Sequence, residues 1–295
     1  MTTARWPDGH RAAVLITVNV DAERSLLTLD PTLEGRTKTL STARYGIRRG
    51  LPAILAELRH AAVPASFFAP GSVVREHPGA FDEIARDGHD LGIRGDDLER
   101  LDGIEPDERR RLIARAVEAF RDRGLEPTGF RLPRGDWPLG LAADLLDAGI
   151  DWSSSWVAGD LPAMLPAGDG RSLVDLPFHH VADDRQAFEW NFAPALPKGH
   201  SRIASYEETL ESWTWEFEGC RDEGLLWVLT VHPHIIGTPG RIGLLREMLR
   251  RIRRHDDVWV ARGSTLASWW RVHGEAPDAG SAERVFLAEA GWPHY

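Results

Sequence analysis

The chain has 295 residues, 42% hydrophobic and 27% charged, which suits one α/β domain with an ample core. A net charge of −10 and a pI near 5.6 argue against nucleic acid as a partner, since that needs a basic face. No apolar run approaches the ~18 residues needed to cross a bilayer, and the single cysteine, Cys220, excludes an intramolecular disulfide and a cysteine metal cluster.

Short apolar runs alternate with helix-period stretches along the chain. The pattern predicts strands over 13–20, 65–69, 90–93, 128–132, 152–155, 173–178, 226–231 and 258–261. Between them it predicts helices over 46–60, 80–87, 106–123, 139–147, 205–223, 242–254 and 264–273. The helix from Pro106 has proline in its first turn, acids just after it and Gly124 at its end, in keeping with the helix dipole. Cys220 falls in a helix with apolar periodicity and reads as a small core thiol. Loops over 25–40, 162–171 and 183–205 are long enough to form rims or subunit contacts. Residues 1–275 are expected to form one domain, with a tail over 276–295 that packs on the body or on a neighbour. Alternation of this kind predicts a parallel α/β barrel whose active site lies at the C-terminal ends of the strands. The polar first 12 residues carry no export-signal pattern, so a cytoplasmic location is expected.

Several motifs sit at those strand ends. Asp21-Ala22-Glu23 follows the first strand, and Trp6-Pro7-Asp8-Gly9 leads into it. Residues 88–98 read Gly-His-Asp-Leu-Gly-Ile-Arg-Gly-Asp-Asp-Leu. Tyr45-Gly46-Ile47-Arg48-Arg49-Gly50, Gly129-Phe130-Arg131-Leu132-Pro133, Asp151-Trp152-Ser153-Ser154-Ser155 and Asp160-Leu161-Pro162 are further segments of this kind. The last is Val231-His232-Pro233-His234, continuing to Gly237-Thr238-Pro239-Gly240-Arg241. Twelve tryptophans against three tyrosines is unusual. Most are expected in the core, but Trp137, Trp152 and Trp156 lie in or beside motif segments and are candidates to line a pocket for a planar or cyclic substrate.

In this order, over roughly residues 5–270, the segments resemble the polysaccharide deacetylase family (carbohydrate esterase family 4, NodB-like), with the flavour of the subgroup containing PuuE allantoinase and cyclic-imide hydrolases. The resemblance implies a single-domain, distorted parallel (β/α) barrel of about seven strands. It also implies a metal site that this chain has lost. The family's second motif opens on Gly-His-Glu and carries two histidines four residues apart, which grip a divalent ion together with an aspartate. Arg94 and Leu98 stand at the two ligand positions here. A guanidinium has no lone pair to offer and leucine has no ligand atom. No metal and no other cofactor is therefore expected.

The resemblance implies a general base at Asp21 and a general acid at His232, with Arg131 orienting Asp21. Arg94 would enter the metal's place, paired with Asp21 and able to polarise a carbonyl. Glu23 and His234, with the three tryptophans, would contact substrate. Each has a plainer alternative: a spent Asp21–Arg94 pair, a buried histidine closing a strand, a structural His234, a structural Arg131. His89 reads as a supporting residue, and Asp96 and Asp97 as caps for a following helix. His179-His180 with Asp183-Asp184 is a rival metal source, but neighbouring residues on a strand point to opposite faces.

The reading is a metal-independent, hydrolase-like enzyme acting on a C–N bond (amide, cyclic ureide or imide) of a small polar molecule. The alternatives are a non-hydrolytic acid/base enzyme on the same scaffold (isomerase, cyclase or lyase) and a catalytically silent binding protein. A small-molecule substrate, no nucleic acid, no membrane and a homo-oligomer, dimer or tetramer, complete the expectation.

Overall fold

The structure, a computed structural model, describes residues 5–157, 159–168, 170–189 and 204–274. The strands are β1 (Ala12–Asn19), β2 (Ser66–Ala69), β3 (Asp90–Ile93), β4 (Gly129–Phe130), β5 (Trp152–Ser153), β6 (Ala163–Pro166), β7 (Ser172–Asp175), β8 (Leu226–Val231) and β9 (Val258–Val260). The helices are α1 (Arg24–Leu27), α2 (Thr37–Tyr45), α3 (Leu51–Ala61), α4 (Gly71–Glu76), α5 (Pro78–Arg86), α6 (Pro106–Arg121), α7 (Leu141–Asp147), α8 (Asp184–Phe188), α9 (Tyr206–Glu223), α10 (Ile242–Ile252) and α11 (Gly263–His273).

The sheet runs β6-β7-β5-β4-β3-β2-β1-β8, with β9 paired to β1. All pairings are parallel except β6 with β7, so eight parallel strands curl into the expected barrel-like sheet. The curl is brought together by a single parallel bridge between Asp183, beyond β7, and Thr230 in β8. Three expectations need correction. The supposed loop over 162–171 contains β6, which joins the eight predicted strands to make nine among the described residues. The supposed loop over 25–40 holds α1 and the start of α2, a polar helix that buries only Leu40 and Ala43 and so shows little periodicity. Asp96 and Asp97 do not cap a helix, since the next one begins at Pro106. The tail over 276–295 lies outside the described residues, as does most of the loop over 183–205.

Every residue of β1 is buried, because it is covered on both faces. Val14, Ile16 and Val18 join the larger core under the outer helices. Ala13 and Leu15 join a second cluster with Phe68, Trp152, Val174, Val228, Leu266 and Trp270, which fills the concave side and is floored by α11. Glycines make room for the two large rings. A Cβ at Gly92 would lie 2.6 Å from Phe68, and one at Gly129 would lie 2.4 Å from Trp152. Trp152 is fully buried in this floor, edge-on to Phe68, so it is a packing residue rather than the substrate contact expected from sequence. Ser66 Oγ and Asp90 Oδ2 accept from the N–H groups of Gly263 and Ser264, tying the start of α11 to the lower ends of β2 and β3.

Candidate active site

The period of two along each strand builds the concave side in layers. Above the apolar floor lies a hydroxyl and guanidinium layer. Thr17 Oγ1 and Thr230 Oγ1 are 2.9 Å apart, and each accepts from Arg131 Nη1 at 3.1 Å. Arg131 also donates to Ser154 O at 2.8 Å and Ser154 Oγ at 2.7 Å, and its guanidinium stacks between the rings of Phe68 and Phe178. Burial, followed by the nearby Arg94, lowers its pKa to about 9. Arg131 therefore ties β1, β5 and β8 together one layer below the strand ends. It makes no hydrogen bond to Asp21, so the orienting role expected for it is not seen.

The next layer holds His232 and Asn19. Asn19 Nδ2 lies 3.0 Å from His232 Nε2, and His232 Nδ1 lies 2.6 Å from Asp184 Oδ1. An amide N–H given to Nε2 leaves the ring proton on Nδ1, donated to Asp184. Asp184 Oδ2 also accepts from the His232 backbone N–H at 2.9 Å. The imidazole is held neutral, its pKa well below the ordinary value, by burial and then by Arg185, with smaller contributions from His234, Arg94 and Arg131. Burial and the adjacent Asp183 raise Asp184 well above the carboxylate range, and the two N–H groups from His232 offset part of that cost. The resting His232 thus presents an acceptor at Nε2. The general-acid role expected for it needs a proton there, which this environment disfavours.

The top layer holds the pair at the centre of the site. Arg94 Nε donates to Asp21 Oδ1 at 2.9 Å, with 2% of Asp21 and 7% of Arg94 exposed. The arginine also reaches the carbonyls of Leu132 (3.5 Å) and Pro133 (3.4 Å). Asp21 Oδ2 is buried without a hydrogen-bond partner, as is Asn19 Oδ1. The loop carrying Arg94 is clamped from outside. Asp96, buried, takes Arg75 at 2.7 Å and Arg115 at 2.6 Å, while Glu99 accepts from the N–H groups of Asp96 and Asp97.

Two other motif segments lean on this site through glycine contacts. A Cβ at Gly50 would fall 1.9 Å from Pro233 O, and one at Gly237 would fall 2.3 Å from Gly50 Cα. Only glycine lets the Tyr45–Gly50 segment meet the His232–Gly237 turn this closely. His234 packs edge-on to His232, ring centroids 6.0 Å apart, and burial lowers its pKa. Glu23 lies off the strand, with Oε1 accepting from Arg44 Nε at 2.6 Å and Oε2 3.6 Å from His77 Nε2. Burial raises its pKa, but the Arg44 bond and the other hydrogen-bond and charge contacts bring it below the ordinary value. Trp137 and Trp156 line a cavity of about 320 Å³ together with Leu132 and Ser155, at the ends of β4 and β5.

Asn19, Asp184 and Asp175 were missed as site residues from sequence. Asn19 was legible, being the last residue of β1 and two before Asp21. Asp184 was grouped with His179-His180, which the structure separates. His179 Nδ1 accepts from Val228 N, while His180 packs on Phe178. Asp175, buried, accepts from the N–H groups of Ser155 and Trp156, and burial pushes its pKa up to about 7. Cys220 is buried and its thiol is pushed up to about 12, chiefly by burial, which fits a packing role.

Among the described residues, two groups bring metal-ligating atoms within 4.8 Å of one another, Asp183/Asp184/His232 and Glu23/Glu76/His77. In the first, His232 is bonded at both ring nitrogens and Asp183 Oδ1 accepts from Arg185 N, so the atoms already satisfy one another. In the second, Glu76 and Glu23 are paired to Arg24 and Arg44.

Comparison with known proteins follows the same lines. The family profile for polysaccharide deacetylase matches residues 37–152. A solved structure from Mycobacterium smegmatis, assigned to the polysaccharide deacetylases, is 37% identical, with a TM-score of 0.86 over 92% of this chain and 94% of that one. The crystal structure of PuuE allantoinase shares the fold at 17% identity, with a TM-score of 0.78 over 94% and 96% of the two chains. A Schizosaccharomyces pombe protein, assigned likewise to the polysaccharide deacetylases, is 23% identical over 91% of this chain and 92% of its own length. With that fold, those motifs and a 37% identical relative along almost its whole length, the chain belongs to the polysaccharide deacetylase family.

Proposed function

We propose that the protein is a metal-independent hydrolase acting on a C–N bond, an amide, cyclic ureide or imide, of a small molecule. The family supports hydrolysis of C–N bonds. Metal independence is supported by one observation, the buried contact between Arg94 and Asp21. The divalent ion that the family resemblance implies does not fit the residues present. Its two histidine positions are taken by Arg94 and Leu98, and the guanidinium that pairs with Asp21 supplies a cation without accepting a ligand bond.

The residues can still perform much of the work. Asp21 Oδ2, free of protein partners, takes a proton from water as the water oxygen adds to the carbonyl carbon. Arg94 polarises the carbonyl oxygen and stabilises the charge that develops there. The site is shielded from bulk water, which strengthens both effects. Collapse of the tetrahedral adduct breaks the C–N bond, and the proton held by Asp21 passes to the departing nitrogen. One carboxyl thus serves as base and then acid, which suits a site where His232 rests neutral. His232, fixed by Asp184, orients Asn19 beside Asp21. Arg131 braces the strands beneath.

Elemental analysis and turnover of an amide and imide panel test this reading. Chelator-treated enzyme is expected to keep full activity, Asp21→Asn to lose it, and solvent ¹⁸O to enter the product. One tightly bound equivalent of zinc, cobalt or nickel would overturn metal independence. Product without ¹⁸O would transfer the site to isomerase or lyase chemistry. Ligand binding without turnover would make it a silent binding protein.

A further inference from the structure

The cavity at the ends of β4 and β5 touches the candidate site through shared residues. Leu132, whose carbonyl takes Arg94 Nη1 at 3.5 Å, continues directly into its wall. Trp137 and Trp156 form a V, ring centroids 5.7 Å apart at 49°, and Phe130 backs Trp137 edge-on at 6.0 Å. Val157, 54% exposed, is another lining residue. Most polar groups of the wall are already engaged; the exception is Trp137 Nε1, buried without a partner and able to donate to a carbonyl. Ser155 Oγ donates to or accepts from Ser153 Oγ and takes Leu132 N–H, the backbone N–H groups of Ser155 and Trp156 go to Asp175, and Asp136 accepts from Trp137 N. A sugar ring would leave most of its hydroxyls unmatched here, at a cost in desolvation. A flat apolar ring would lie across the mouth of the V, against indole surface.

We infer that this cavity receives a flat apolar ring carried by the substrate, so that the C–N bond presented to Arg94 and Asp21 belongs to an aryl-bearing amide rather than to an N-acetylated sugar. This deepens the hydrolase reading and rests on it. With the ring against the tryptophans, the amide is directed toward Leu132, whose carbonyl the guanidinium reaches. A cavity of about 320 Å³ holds one ring and a short substituent, not an oligosaccharide.

Binding measured without turnover separates this inference from the reaction. The full-length Asp21→Asn protein is titrated with acetanilide, acetamide and N-acetylglucosamine by ligand-detected NMR and calorimetry. Acetanilide is expected to bind tenfold or more tighter than either of the others, because its ring leaves water. Trp137→Ala should abolish that preference and Trp137→Phe should retain it. Should Trp137→Ala fail to fold, Val157→Trp, at an exposed lining position, should fill the cavity and remove the preference instead. Equal binding of acetanilide and acetamide, or a preference that survives both cavity variants, overturns the inference. A clear ring preference in a wild-type protein that cleaves no amide leaves the ring site standing and sinks only the hydrolase reading.

Discussion

Arg94 and Asp21 lie 73 residues apart in sequence and meet at 2.9 Å, the first from the end of β3 and the second from the end of β1. Strand β2 separates their strands, so the curl of the sheet alone brings the two side chains together. The pair is almost wholly buried, and among the described residues neither member forms a second ion pair.

Removal of one member should therefore leave a stranded charge. Asp21→Asn or Arg94→Leu is expected to lower stability by roughly 3–5 kcal/mol. The double variant should cost less than the sum of the singles, because the interaction is lost only once. Chemical denaturation of all four proteins checks this. Strict additivity would show that the two residues do not interact in solution.

A metal site should be recoverable. Arg94→His with Leu98→His restores the pair of imidazoles that the family resemblance implies, and Asp21 Oδ1 then loses its arginine partner. Leu98 already has a left-handed backbone, φ +58°, which histidine accepts more readily than leucine. The double variant is expected to bind zinc with measurable affinity by calorimetry, while the parent does not. A folded variant with no zinc affinity would mean that this loop departs from the family's path, and the role given to Arg94 would have to be withdrawn.

Stability should depend on pH through Asp175. Burial raises its pKa from an unfolded value near 3.8 to about 7, so the folded state binds more protons than the unfolded state between those values. Its contribution is fully present below the lower value and is lost as pH rises through 7, by at most on the order of 4 kcal/mol. His232 has the opposite sign. Its pKa is lowered, so its contribution is present above about 6.5 and is lost as pH falls. Asp175→Asn removes only the first dependence. Thermal melts should show the variant gaining on wild type between pH 5 and pH 8. A constant difference across that range would place the Asp175 carboxyl in an ordinary, solvated state.

Self-association is expected. Trp215 on α9, with 73% of its surface exposed, lines a surface depression with Leu210 and Thr214, and a second copy seated there would remove the indole from water. Light scattering at micromolar concentration should give a dimer or tetramer, and Trp215→Asp should shift it toward monomer. A monomer mass for wild type would refute the assembly.

The sequence by itself determined the alternation of strands and helices, the parallel barrel and the ends at which chemistry would sit. Those properties follow from local periodicity. Burial on both faces makes β1 and β8 largely apolar runs, and the limits of α6 and α9 are set by Pro106, Ser205 and Gly224. Asp21, Arg94 and His232 were legible for the same reason, each lying at the end of a readable strand.

Tertiary structure decided who meets whom. Asp184 reaches His232 across 48 residues from a short helix with no period to reveal it. Asn19 takes the imidazole nitrogen that the family resemblance assigned to proton donation. Arg131 serves the layer below the site, and Trp152 fills the floor, because alternation fixes the face of a residue but not its height above α11. A hydrogen bond depends on distances of tenths of an ångström between segments far apart in sequence, and only the packed sheet sets those distances.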